Sequence, residues 1–209
     1  MGNAKVAPTI NYDGRIMQRV QQHPIISFPT AEEWRAWLAK NHKLSNGVQL
    51  RMFKKGSGQQ SIAYDKALDE ALCFGWIDGQ KKTYDEQSWI QKFTPRRPKS
   101  TWSKRNREHI ERLTNERRMK PAGLKAVEAA KNDGRWDSAY DPPSAATIPA
   151  DFLQALSKNK KAKAFFETLN KANLYSIAWR LQTAKTPETR EKRMKVILAM
   201  MAEGKKFSE

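Results

Sequence analysis

Cysteine is almost absent from this chain. Its 209 residues contain one, Cys73, so no internal disulfide can form and a reducing compartment is the simplest expectation. Histidine is nearly as scarce. His23, His42 and His109 are scattered, and neither a Cys-x-x-Cys nor a His-Glu-x-x-His pair occurs, so the ligand spacing of a metal site is missing. No Gly-x-Gly-x-x-Gly or Walker loop appears, and Gly56-Ser57-Gly58 is short enough to read as a plain turn. Neither a metal nor a cofactor is expected. No run of 18 apolar residues exists, which excludes a membrane-spanning helix. The opening MGNAKVAPTINYDGR has no apolar core, so no secretory signal is expected and the location reads as cytoplasmic. Val6 breaks the myristoylation pattern that Gly2 would begin.

Positive charge is what the chain has in excess, with a net +17. It comes in blocks. Residues 92–120 hold 11 Lys+Arg against 3 Asp+Glu, and residues 158–209 hold 13 against 5, whereas residues 61–91 are net acidic, 3 against 6. Polyanions are attracted to such a protein at long range. The alternative is a generally basic, solvated surface.

Helical and strand patterns alternate early. Residues 1–25 lack periodicity and read as a flexible N-terminal arm. Thr30-Ala31-Glu32-Glu33 is a capping box, followed by Trp34 and Leu38 at helical spacing. Val48 to Phe53 alternates as a strand. Tyr64, Leu68, Ala71 and Leu72 share a helical face that Gly75 would close. Trp76 to Lys82 and Ser88 to Thr94 read as a hairpin. Beyond Pro98 the pattern is helical: Trp102, Asn106, Ile110 and Leu113 form one face, and Leu124, Val127 and Ala130 turn inward after Pro121. Pro142, Pro143 and Pro149 mark a linker over 138–149. Three or four short helices follow, the clearest starting at Thr186-Pro187-Glu188 and burying Met194, Ile197, Leu198 and Met201.

The expected class is α+β, with a small antiparallel sheet of about three strands and packed helices, followed by an all-helical C-terminal region. The expected division is an arm over 1–25, an α+β domain over 26–137, the linker over 138–149 and a helical domain over 150–209.

The richest chemistry lies between Ala67 and Arg107. A helix beginning at Ser100 or Ser103 presents unpartnered amide N–H groups that attract anions. Arg96 and Arg97 stand just before it, and an arginine fork matches phosphate or carboxylate oxygens. Trp76 and Trp102 offer stacking faces, Asp78 or Gln80 can select by hydrogen bond, and Asn106 completes the candidate ligand-binding set. The structural alternative has Arg96 and Arg97 paired with Asp78, Asp85 or Glu86, locking the hairpin to the helix. Asp78 is the one catalytic candidate, as acid or base, and has no second acid at obvious spacing. Cys73 sits near a helix C-terminus, where the dipole disfavours a thiolate, so it reads as buried and structural. Phe165, Phe166, Tyr175 and Trp179 interleave with basic residues. They suit either stacking on single-stranded nucleic acid or a helical core, since Tyr175 and Trp179 are four residues apart.

The pieces ALDEALCFGWIDGQKK, QKFTPRRPKSTWSKRNRE and RMKPAGLKAVEAAK resemble the bacterial YdeI/OmpD-associated family. So do Phe28 to Lys55 and LQTAKTPETR, which extends the resemblance over nearly the whole chain after residue 25. It implies bacteriocin protection and resistance to cationic antimicrobial peptides, a stress-related role, and no established reaction. Direct trapping of cationic peptides fits badly with a +17 protein, so protection here would be indirect. Two positions depart from the family's pattern. Ala63 stands where a Thr often caps the helix, and Arg117 stands where a Gly often ends one.

The leading expectation is a non-catalytic binding protein for an anionic, phosphate-bearing small molecule or polyanion. An enzyme acting on a phosphorylated small molecule, a nucleic-acid binder and a protein-partner role stay open beside it.

Overall fold

The computed structural model describes residues 23–206. Most of the expected N-terminal arm therefore lies outside the described residues. The described chain divides into two compact units, residues 23–67 with 77–95, and residues 68–76 with 96–206.

The first unit is built on a sheet. Its strands are β1 (Ile25–Ile26), β2 (Val48–Phe53), β3 (Trp76–Thr83) and β4 (Ser88–Pro95), in the order β1-β2-β4-β3. The three strands legible in the sequence form its main part. The fourth, β1, is two residues long and pairs parallel to β2, Ile25 with Gln49 and Ile26 with Leu50. The sheet is therefore mixed rather than purely antiparallel. A strand of two residues has no alternation to read, so its sequence carries no signal.

β2 and β4 pair antiparallel, with Val48 opposite Phe93, Leu50 opposite Gln91 and Met52 opposite Trp89. The alternation of β2 puts Val48, Leu50 and Met52 inside. β3 and β4 are neighbours joined by four residues, a connection only antiparallel strands can make. Arg51 locks their turn: its Nη2 donates to Asp85 at 2.7 Å and its Nε to Ser88 Oγ at 2.9 Å.

α1 (Ala31–Asn41) begins where the capping box places it, and Thr30 Oγ1 accepts from the Glu33 amide at 3.3 Å. Its buried Trp34 packs 5.8 Å from Phe93 and 5.4 Å from Phe28, and donates Nε1–H to Ala67 O at 3.1 Å. Such ring pairs add about 1 kcal/mol beyond the area they bury.

α2 (Tyr64–Cys73) crosses from the first unit to the second after Ala67. Every residue from Ala67 to Phe74 is buried, including Asp69 and Glu70. Gly75 ends the helix at φ +75°, as its position suggests.

In the second unit α3 (Lys104–Asn115) buries Ile110 and Leu113. It closes with a Schellman motif: Arg118 N donates to Leu113 O and Arg117 N to Thr114 O. Arg117 takes the left-handed position at φ +55°.

α4 (Pro121–Asn132) corrects one expectation. Leu124 is 46% exposed, and the inward stripe is Gly123, Val127 and Ala130. The cause is close contact. A Cβ on Gly123 would lie 2.4 Å from Cys73 O, so the helix can approach α2 only through a residue without a side chain. Cys73 itself is fully buried.

Tyr140 pins the proline-rich stretch: its amide donates to Trp102 O and its carbonyl accepts from Lys104 N, both at 2.9 Å. Four helices follow, α5 (Ala150–Ser157), α6 (Lys160–Phe166), α7 (Lys171–Gln182) and α8 (Pro187–Ala202). Phe152, Leu156, Ile177, Leu181, Ile197 and Met201 form their core, with Phe165 and Phe166 packed against it. Those two rings are therefore part of the helical packing. No helix among the described residues is long and apolar enough to cross a membrane.

Candidate functional site

The loop between β4 and α3 is held from both ends. Arg96 N donates to Gly75 O at 2.9 Å, and Ser100 N donates to Arg97 O at 3.0 Å. The Arg96 guanidinium lies 3.7 Å from the Trp102 ring centroid and donates to Thr101 O at 2.8 Å. Stacking of this kind suits arginine's weakly hydrated plane. Arg97 and Lys99 are left exposed.

The helix starts at Ser103 rather than Ser100. Ser103 Oγ accepts from the Asn106 amide at 3.1 Å, and the Lys104 amide donates to Tyr140 O. Two donors that would face an anion at this helix start are thus already bonded within the protein. Trp76 and Trp102 are each 1% exposed, so their rings face protein rather than incoming ligand.

Asp78 and Gln80 fall in the sheet-bearing unit. Asp78 Oδ2 accepts from Tyr64 Oη at 2.8 Å, and Gln80 is exposed. Asp85 is bonded to Arg51, so the proposed lock of the hairpin through an Arg96 or Arg97 pair with Asp85 is not what this carboxylate does.

A groove in the second unit gathers a different set. Two adjoining hollows, of about 540 and 450 Å³, share Lys99, Thr101, Thr183 and Lys185 as a common wall. The larger is completed by Asp133, Gly134, Arg135, Ser138, Gln182 and Ala184. The smaller is completed by Ser100, Trp179, Thr189 and Arg193. Of the expected ligand-binding residues, Ser100 lines it.

The groove's arginines are braced. Arg135 Nε donates to both Asp133 oxygens, at 2.8 and 2.7 Å, and its Nη1 donates to Ser100 O at 3.0 Å. This pairing holds the Asp133 carboxyl below its ordinary range, with a smaller contribution from Lys185. Arg193 Nη1 donates to Arg180 O at 2.7 Å and to Thr183 Oγ1 at 3.3 Å. Lys99 and Lys185 are exposed and make no ion pair among the described residues. Four cations thus line the groove against the single carboxylate of Asp133. The Thr101 hydroxyl adds a neutral donor on the same wall, whereas the Thr183 hydroxyl already donates to Trp179 O at 2.8 Å.

Asp141 ties the groove's surroundings together. It pairs with Lys104 at 2.6 Å and accepts from Gln182 Nε2, while its amide donates to Gln182 Oε1 at 3.1 Å. Lys104 and then Gln182 hold this carboxyl below its ordinary range.

Sequence reasoning missed a second charged cluster. Asp69 accepts from His109 Nδ1–H at 2.7 Å and from Arg112 Nη2 at 2.6 Å, and Glu70 accepts from Arg118 at 2.6 Å. The partners lie about 40 positions apart, so no local spacing announces them. The signal that was available is an acidic pair, Asp69 and Glu70, set between Ala67-Leu68 and Ala71-Leu72, since buried carboxylates require partners. Among the described residues no three His, Cys, Asp or Glu side chains gather as a metal site.

Two family models match the chain. Residues 26–126 match a domain of unknown function, DUF8412. Residues 145–204 match the model described as bacteriocin-protection, YdeI or OmpD-associated. No curated protein matches the chain, and no solved structure does. The GWIDG and TPRRPKS motifs fall within the first span, and LQTAKTPETR within the second. The groove draws Lys99 and Thr101 from one span and Gln182 to Lys185 from the other. The resemblance to the YdeI/OmpD-associated family holds over the C-terminal helices, residues 145–204.

Proposed function

We propose that this protein is a non-catalytic binder of a phosphate-bearing small molecule, and that the groove at Lys99 and Lys185 is where the anion sits. The observation that carries this reading is the shared wall of the two hollows, with two exposed lysines and the Thr101 hydroxyl. Lysine and hydroxyl donors suit phosphate oxygens, and Arg193 adds positive potential at a fixed position, while the charge of Arg135 is met by Asp133. A hollow of about 540 Å³ falls in the size range of small-ligand sites.

This reading does not use Trp76, Asp78 or Gln80. Arg97 and the start of α3 contribute long-range field rather than the principal hydrogen bonds. The biological role we infer is resistance to antimicrobial peptides or a related stress, an extension of the bacteriocin protection that the family description over 145–204 names. A protein of net charge +17 repels cationic peptides, so the role runs through the bound anion or a protein partner. We read its site of action as the cytoplasm.

A thermal-shift series with inorganic phosphate, pyrophosphate and ribose 5-phosphate tests the reading. A ligand present at about 100 times its Kd adds about 2.7 kcal/mol of stability. A raised melting point in wild type, lost in Lys99→Ala and Lys185→Ala, supports the groove. A rise that survives both substitutions removes the anion from it.

A further inference from the structure

We infer that the ligand is a nucleotide, with its base stacked on Trp179 and its phosphate at Lys99 and Lys185. This rests on the anion-binding reading above and adds a ligand class to it.

The smaller hollow supplies the argument. It joins the lysine-and-threonine wall to Trp179, with Ser100, Thr189 and Arg193 completing its lining. Trp179 is only half-buried, unlike the core tryptophans Trp34, Trp76 and Trp102. Its orientation is fixed. Tyr140 meets it edge-on, with centroids 6.0 Å apart and planes at 87°. Tyr140 is itself held by backbone bonds to Trp102 and Lys104. A positioned, part-exposed indole beside cations is a stacking platform for a π-system that carries negative charge.

The polar groups fit the same ligand. Ser100 and Thr189 offer hydroxyls to the polar edge of a base, and each hydroxyl donates or accepts. Arg193 is braced beside the ring by Arg180 O and Thr183 Oγ1. A sugar phosphate without a base would leave the Trp179 face unused. The larger hollow, which shares that wall, leaves room for a substituent on the phosphate.

The test is calorimetric titration of the full chain with adenosine 5′-monophosphate and, separately, ribose 5-phosphate. The two share the phosphate and sugar and differ by the base. Adenosine 5′-monophosphate should bind about tenfold tighter or more, because stacking on one aromatic ring is worth that much. Trp179→Leu should erase this advantage and leave ribose 5-phosphate affinity unchanged, while Trp179→Phe should keep most of it. Equal affinities for the two ligands in wild type overturn the nucleotide assignment and leave anion binding standing, with no variant needed. An advantage that persists undiminished in a folded Trp179→Leu also overturns it. Absence of binding by both ligands and by inorganic phosphate removes both readings together.

Discussion

Asp69 and His109 meet at 2.7 Å on a carboxylate that is only 3% exposed. The same carboxylate takes Arg112 at 2.6 Å. A buried charge is stable only when its lone pairs are filled. This pair therefore fastens α2 to α3 in a way that apolar packing alone would not specify.

The first prediction concerns pH. Burial alone would raise the Asp69 carboxyl, but hydrogen bonds from Arg112 and then His109 outweigh it and hold it below the ordinary aspartate value. A carboxyl depressed in the folded state contributes stability above its unfolded pKa and loses it as the pH falls through the folded one. Stability should therefore drop below about pH 4 in wild type. Asp69→Asn should cost about 2 kcal/mol at neutral pH and flatten that acid limb. Urea unfolding at several pH values between neutrality and strong acid measures both effects. An unchanged acid limb in the variant would show that Asp69 is not the group responsible.

The second prediction concerns Arg117. Its φ of +55° is the sole left-handed value at a non-glycine among the described residues. A side chain there costs about 1–2 kcal/mol, partly offset by the backbone entropy glycine loses on folding. Arg117→Gly should stabilise the protein by roughly 0.5–1 kcal/mol. Thermal unfolding of the two proteins side by side decides it, and a lowered melting point would mean that the Arg117 side chain makes contacts worth more than the strain.

The third prediction concerns Gly123. A methyl group there meets Cys73 O at 2.4 Å and Leu72 O at 2.8 Å, and both are backbone atoms. Gly123→Ala should destabilise by about 2–3 kcal/mol, despite alanine's better helix propensity. A more stable Gly123→Ala protein would mean that α4 can move off α2 without loss.

Much of the fold was legible because it obeys short-range rules. Thr30 caps α1, Pro121 opens α4, Gly75 ends α2 and Val48 to Phe53 alternates, each within a few residues. What escaped was long-range or too short to have a period. β1 is two residues long. The inner position of α4 is Gly123 rather than Leu124 because of a carbonyl 50 residues earlier, on Cys73. The loop Thr94 to Ser103 carries two arginines, but Arg96 covers Trp102, the Lys104 amide donates to Tyr140 O and the Asn106 amide to the Ser103 cap. The exposed cation beside them, Lys99, finds its counterpart in Lys185, 86 residues away. No spacing rule joins those two lysines, and only the folded chain puts them on one wall.

The central claim is that Lys99 and Lys185 together hold an anion. Its most direct test is calorimetric titration of pyrophosphate into wild type and into the double variant Lys99→Ala/Lys185→Ala at about 0.1 M salt, where surface charges are screened beyond about 10 Å. A charge-assisted hydrogen bond is worth about 1.5–3 kcal/mol, so the double variant should bind at least about a hundredfold more weakly while its melting temperature stays within a few degrees of wild type. Equal binding by the two proteins would contradict the claim and move the anion elsewhere on the basic surface.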